Sequence, residues 1–115
     1  MASGTLKVIA GPAYLANSAT DVYTPPASTI FTVIKQITVA NKTASAATFT
    51  LYRGATGAST GGTELVGLSK SVPANDYIQI TWHPGLKMES TNFLVGVASA
   101  ASTLVITVIG EQVVV

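Results

Sequence analysis

Side chains able to do chemistry are few in this chain, and their spacing does not gather them. His83 is the single histidine, and there is no cysteine. It stands in Trp82-His83-Pro84-Gly85, which reads as a strand end running into a turn with the imidazole partly exposed. A hydrolytic triad needs a nucleophile and an orienting carboxylate as well, and no Gly-x-Ser-x-Gly elbow surrounds any serine. Lack of cysteine removes a thiolate nucleophile, thiolate metal ligands and a disulfide framework. The five carboxylates, Asp21, Glu64, Asp76, Glu89 and Glu111, lack the alternating Asp-x-Asp-x-Asp spacing of a calcium loop. Asn75-Asp76 is better explained as turn chemistry closing Pro73–Tyr77. The glycine-rich run Gly54-Ala55-Thr56-Gly57-Ala58-Ser59-Thr60-Gly61-Gly62 invites comparison with a phosphate cradle. Such a loop ends in Gly-Lys-Ser/Thr at the start of a helix, whereas here Thr63-Glu64 and a strand follow. It reads as a mobile hairpin loop standing off the body of the protein. No cofactor or metal is expected.

Two motifs concern sugars. Asn41-Lys42-Thr43 matches the N-glycosylation acceptor pattern, but with no secretory signal ahead of it the triplet reads as the end of a hairpin. Tyr14, Tyr23, Tyr52, Tyr77 and Trp82 are the aromatic residues able to stack on sugar rings or to close a subunit contact. Of these, Tyr52, Tyr77 and Trp82 are the candidates for touching a glycan or a neighbouring subunit.

The elements that must position these residues are strands. From Phe31 to Asn41 one face reads Phe31, Val33, Lys35, Ile37, Val39 and the other Thr32, Ile34, Gln36, Thr38, Ala40. Phe49 and Leu51 alternate with Thr48, Thr50 and Tyr52; Ile78, Ile80 and Trp82 alternate with Tyr77, Gln79 and Thr81. Leu104, Ile106 and Val108 alternate with Thr103, Val105, Thr107 and Ile109. Period two lets a strand bury one side and solvate the other. Eight strands are expected: Leu6–Ala10, Asp21–Tyr23, Phe31–Asn41, Thr48–Arg53, Glu64–Val72, Tyr77–Trp82, Phe93–Ala98 and Thr103–Val114. Gly11-Pro12, Pro25-Pro26, Asn41-Lys42, Pro73–Asp76 and Pro84-Gly85 supply the turns between them. Short strands at this spacing predict an all-β, two-sheet antiparallel sandwich, jelly-roll or immunoglobulin-like, over residues 1–115 as one domain.

Composition narrows the function classes. The 115 residues are 48% hydrophobic and only 10% charged, with a mean hydropathy of +0.48. That is too apolar for a disordered chain. Six Lys/Arg against five Asp/Glu give a net charge of +1, without the basic stripe of a nucleic-acid binder. No apolar run approaches the roughly 20 residues of a spanning helix, and none follows the N-terminus as a signal peptide requires. A soluble protein without a membrane or nucleic-acid partner is expected, and an enzyme is not. Assembly is favoured. The chain ends Glu111-Gln112-Val113-Val114-Val115, an apolar β-prone segment that templates aggregation if left at a free edge. A surface of Ala, Thr and Ser also opposes close contact with little like-charge repulsion.

One family resemblance can be stated from these segments. Asp21-Val22-Tyr23-Thr24-Pro25-Pro26-Ala27, then Ile34-Lys35-Gln36-Ile37-Thr38-Val39-Ala40-Asn41, then Thr48-Phe49-Thr50-Leu51-Tyr52 resemble small β-sandwich structural proteins of tailed bacteriophages. The turn Val72-Pro73-Ala74-Asn75-Asp76 and the ending Thr107-Val108-Ile109-Gly110-Glu111 are similar to theirs as well. The likeness spans about Asp21 to Glu111; the Pro25-Pro26 pair and the inserted glycine loop depart from the pattern. It implies a virion component assembled in the host bacterial cytoplasm, most simply a capsid decoration (cement) protein gripping the major capsid protein or other virion proteins. It also implies a homo-oligomer such as a trimer, with a flexible arm at residues 1–5. On that footing Thr5, Leu6, Val113, Val114 and Val115 are the expected subunit or shell contacts. A neck, tail or fibre-base protein, or a carbohydrate-binding module displayed on the virion, are the alternatives.

Overall fold

The computed structural model describes residues 6–27, 29–56, 60 and 63–114. They form eight strands: β1 Leu6–Tyr14, β2 Thr20–Tyr23, β3 Thr29–Asn41, β4 Ala47–Gly54, β5 Glu64–Val72, β6 Tyr77–Glu89, β7 Phe93–Ala98 and β8 Leu104–Val114. All neighbours pair antiparallel, in one sheet of order β1-β8-β3-β6 and a second of order β2-β7-β4-β5. That interleaving is the jelly roll, the double-sheet arrangement of two Greek keys. It decides between the two sandwich topologies left open by the sequence.

Burial follows the alternation cleanly in β8 and in β6 up to Trp82, whereas Leu94 and Val95 of β7 are buried side by side. Phe49 and Leu51 of β4, Leu104, Ile106 and Val108 of β8, and Ile34, Ile37 and Val39 of β3 are fully buried between the sheets with Met88, Leu94 and Val72. Ile78, Ile80, Trp82 and Leu86 of β6 pack against this cluster from its margin. Each such side chain contributes about 1.5–3 kcal/mol through removal from water, and the two sheets cannot separate without exposing all of them.

Several sequence expectations are corrected. Gly11-Pro12 is not a turn: β1 runs through it to Tyr14, with register shifts between Val8 and Ala10 and between Ala10 and Ala13. Gly11 takes φ +80°, and a Cβ there would lie 2.2 Å from the carbonyl oxygen of Ile106, so the bulge demands glycine. His83 does not end a strand either; β6 continues past an exposed His83 to Glu89. Asn41-Lys42-Thr43 is not a hairpin end, because β3 and β4 lie in different sheets. β8 is not an edge: it sits between β1 and β3, with Phe31 opposite Val113 and Thr29 opposite Val114. The aggregation hazard of the C-terminal strand is thus answered within the chain.

The alternation of β3 also breaks. Ile34 pairs with Gly110 and Gln36 with Ile109, leaving Lys35 as a bulge. Opposite it on β6, the four residues 82–85 separate Thr81, which pairs with Gln36, from Leu86, which pairs with Ile34. The core side of β3 is therefore Thr32 and Ile34 before the bulge and Ile37, Val39 and Asn41 after it. Phe31 and Val33 turn to the outer face, although straight counting placed them with Ile37.

Two polar latches tie the sheets together. The Tyr23 hydroxyl of β2 is 2.7 Å from Thr32 Oγ1 and accepts from Gln112 Nε2 at 2.7 Å, both from the opposite sheet. Asn41, only 3% exposed, donates through Nδ2 to the carbonyls of Ser45 (2.8 Å) and Val72 (3.1 Å). Its Oδ1 accepts from the Thr43 backbone N–H (2.9 Å) and hydroxyl (2.7 Å). All of its bonding capacity is used.

Candidate functional site: the outer face of the β1-β8-β3-β6 sheet

Directly paired residues share a face of an antiparallel sheet, so the registers define rows across the outer surface of this sheet. The first is Val113–Phe31–Glu89, and the second Leu6–Glu111–Val33–Lys87. Then come Val8–Ile109–Gln36–Thr81, Thr107–Thr38–Gln79, and Tyr14–Val105–Ala40–Tyr77. The face is mostly aliphatic, aromatic or threonine. Its charged members are Lys87, Glu89 and Glu111 of the first two rows and Lys35, at the bulge between the second row and the third. Lys87 is 3.6 Å from Glu89 and stands 5.0 Å from the ring centre of Phe31. Leu6 (64% exposed), Val8 (52%), Tyr14 (51%) and Tyr77 (57%) remain open to solvent. An antiparallel sheet with one solvated face ordinarily makes that face polar; this one mixes exposed apolar residues with threonine, glutamine and paired charges.

Beside the bulge lies an open groove of about 380 Å³ lined by Val33, Lys35, Pro84, Gly85, Lys87 and Glu111. The Lys35 ammonium donates to the carbonyl of Pro84 and lies 3.8 Å from Glu111. Its charges are thus engaged with one another, and no hydroxyl or imidazole lines the groove. No group of three or more His, Asp or Glu able to hold a metal occurs among the described residues. No helix long and apolar enough to cross a membrane occurs among the described residues.

The expected contact residues fall in different places. Leu6 is exposed on the edge strand β1, and Val113 is half-buried on the outer face beside Phe31. Val114 pairs through its backbone with Thr29, while Thr5 and Val115 lie outside the described residues. So does much of the glycine loop, at residues 57–59, 61 and 62. Tyr52, Tyr77 and Trp82 are not brought together. Tyr52 is half-buried on the other sheet, between Val95 and Glu64, and Trp82 packs inward against the core. Only Tyr77 is well exposed, on the outer face described above. Tyr23 is buried as a latch. Sequence reading missed that Tyr14 and Tyr77 occupy one row, because three strand pairings non-local in sequence separate them. It also missed the bulge, although Val33-Ile34 followed by Lys35-Gln36 is the one place where the period-two pattern of β3 doubles on each side.

Comparison with known protein families, with curated proteins and with solved structures finds no match to this chain.

Proposed function

We propose that this chain is a non-enzymatic virion structural protein of a tailed bacteriophage, a decoration protein that binds and stabilises the outer capsid shell. The observation that carries the reading is the broad outer face of the β1-β8-β3-β6 sheet, where exposed Leu6, Val8, Tyr14 and Tyr77 stand among charges that are paired with one another. Large apolar faces rimmed by polar groups mark interaction surfaces, and the charged side chains nearby are paired with each other rather than converging on a nucleophile. The resemblance of Asp21–Glu111 to phage sandwich proteins supplies the class of partner; the jelly roll agrees with it but hosts many functions. The mechanism is mechanical: apolar area buried against several shell subunits, at about 25 cal/mol per Å², raises the free energy needed to pull them apart. Ordering on binding takes part of that back.

The test is co-sedimentation of the purified protein with undecorated capsids assembled from tailed-phage major capsid proteins. Saturable binding at regular sites, with the shell then rupturing at a higher temperature, is expected. Absence of binding to heads overturns the decoration assignment, and binding to isolated necks or tails moves the protein there. A second reading, a glycan-binding module, is favoured by Tyr14 and Tyr77 being exposed at the two ends of one row, with the Lys42 ammonium 5.0 Å from the Tyr14 ring centre. Hits in a glycan array that vanish in Tyr77→Ala are its expected signature.

A further inference from the structure

We propose that the first half of β6 is a dimerisation edge, and that its occupant is the same edge of a second copy, paired antiparallel about a twofold axis at Ile80. The two β1-β8-β3-β6 sheets then join into one sheet of eight strands. This does not rest on the capsid reading, and it leaves the outer face of both copies uncovered.

Register shows which backbone groups are open. The Asn41 N–H donates to the Asp76 carbonyl at 2.7 Å, and hydrogen-bonded pairs recur at every second residue of an antiparallel ladder. Ile78 opposite Val39 and Ile80 opposite Ile37 therefore bond to β3. Gln79 and Thr81 turn their backbone N–H and C=O the other way, to the side of β6 on which the sheet order places no strand. Both ends of this stretch are closed. The Tyr77 N–H donates to Asp76 Oδ1 at 2.7 Å, and past the bulge the Lys87 carbonyl accepts from Arg53 Nη1 at 3.2 Å.

The other edges are defended. β1 carries two register shifts and Pro12, and β2 has four residues. β5 has two register shifts, and its Lys70 pairs with the buried Phe49, which puts a lysine on the inner side of an edge. Such devices prevent edge-to-edge pairing. The run Tyr77-Ile78-Gln79-Ile80-Thr81-Trp82 has none of them: it holds no charge and no proline, and it pairs regularly with β3 from Tyr77 to Thr81.

The edge is complementary to itself, as a twofold contact requires. Pairing about Ile80 sets Gln79 opposite Thr81 of the second copy; such a pair exchanges two bonds, and symmetry doubles the count. On the inner side Ile80 meets its own copy and Ile78 comes beside Trp82. All three are only half-buried at the margin of the core, so the seam takes from water apolar surface that one sandwich leaves wet.

Charge agrees. Asp76 stands at one end of the run; at the other, the Lys35 ammonium donates to the Pro84 carbonyl and lies 3.8 Å from Glu111. The twofold axis brings the Asp76 end of each copy to the Lys35 end of the other, so opposite signs approach. Lys42 is turned to the Tyr14 ring, and Lys87 pairs with Glu89 beyond the bulge. Glu64 and Lys70 are exposed on β5, in the other sheet. The short seam makes a small interface, and a dissociation constant of about 10–100 μM is expected.

The experiment uses the full chain, which has no cysteine of its own. In hydrogen exchange followed by NMR, the Gln79 and Thr81 amides are expected to exchange fast in dilute protein and to gain about tenfold protection at ~1 mM, while those of Ile78 and Ile80 stay protected throughout. Ile80→Cys places two thiols on the axis, at a non-hydrogen-bonded pair with Cα atoms about 4.5 Å apart, within disulfide reach. It is expected to give a linked dimer on mild oxidation, whereas Val8→Cys, exposed on the β1 edge, is expected to stay monomeric. Thr81→Pro removes an N–H that β3 does not use, and Ile80→Lys sets like charges on the axis. Each is expected to weaken dimerisation about tenfold or more in sedimentation equilibrium, with circular dichroism establishing that it is folded. Gln79 and Thr81 amides that exchange fast at every concentration, or equal cross-linking of the two cysteine variants, overturn the proposal. Capsid co-sedimentation keeps the two readings apart, because Ile80→Lys leaves the outer face unchanged. The exchange and cross-linking results decide the dimer whatever the capsids show, and a wild-type dimer that binds no capsid overturns the decoration role alone.

Discussion

Asn41 shows how much one polar side chain can hold. It sits at the end of β3, almost wholly buried, and its amide reaches the Val72 carbonyl in the opposite sheet while bracing the Thr43–Ser45 turn. Removing it takes the side-chain donor from the buried Val72 carbonyl and the acceptor from the Thr43 backbone N–H, and a buried group left unsatisfied costs about 1–3 kcal/mol. Asn41→Ala is therefore expected to lower the unfolding free energy by about 2–4 kcal/mol in a denaturant titration. Asn41→Asp, isosteric but unable to donate, is expected to rescue nothing; wild-type stability in either variant would show that the latch is not needed. The same geometry explains the sequon-like triplet without any glycan. Its asparagine and threonine are there to build a turn that starts with a side-chain bond two residues on.

At the scale of the element, β3 is the informative strand. Its bulge at Lys35 exchanges the two faces, so Ile34 is buried while its neighbour Val33 looks outward beside Lys87 and Glu111. Uninterrupted alternation from Ile37 puts Val33 inside and Ile34 outside. The two accounts make opposite forecasts for threonine at the two positions. Ile34→Thr is expected to lower stability by about 2–4 kcal/mol by burying a hydroxyl and losing a methyl contact, and Val33→Thr to stay within about 1 kcal/mol of wild type. Thermal melts of the two variants check this, and a reversed order would place the bulge elsewhere. Strand positions were largely legible, since Val-, Ile- and Thr-rich period-two runs have few other conformations open to them. The continuation of β1 through Gly11-Pro12 and of β6 through Pro84-Gly85 was not legible. Proline and glycine mark a break in regular pairing, but a turn and a bulge break it alike, and only the partner strand distinguishes them.

For the whole molecule, the jelly-roll order leaves most sheet neighbours far apart in sequence: β8 lies between β1 and β3, and β7 between β2 and β4. Only β4 and β5 are both consecutive and paired. Loops must close before such pairings return any stabilisation, so folding is expected on a scale of about milliseconds to seconds; stopped-flow refolding followed by Trp82 fluorescence measures it. A sub-millisecond main phase would contradict so non-local a topology. The body measures 47 × 26 × 21 Å, and the function proposed for the chain rests on the outer face of the β1-β8-β3-β6 sheet rather than on a cleft.

Sequence by itself determined the all-β class, the eight strand locations, the inward faces of β4 and β8, and the scarcity and scatter of titratable groups, because composition and residue period are local properties. Tertiary structure alone decided the jelly-roll order, the interior place of the C-terminal strand, the exchange of faces at Lys35, and the gathering of Phe31, Val33, Ile109, Tyr14 and Tyr77 onto one outer face. Each of these depends on which distant strand supplies the hydrogen bonds and in what register, and pairing between strands leaves no period in the sequence of either one.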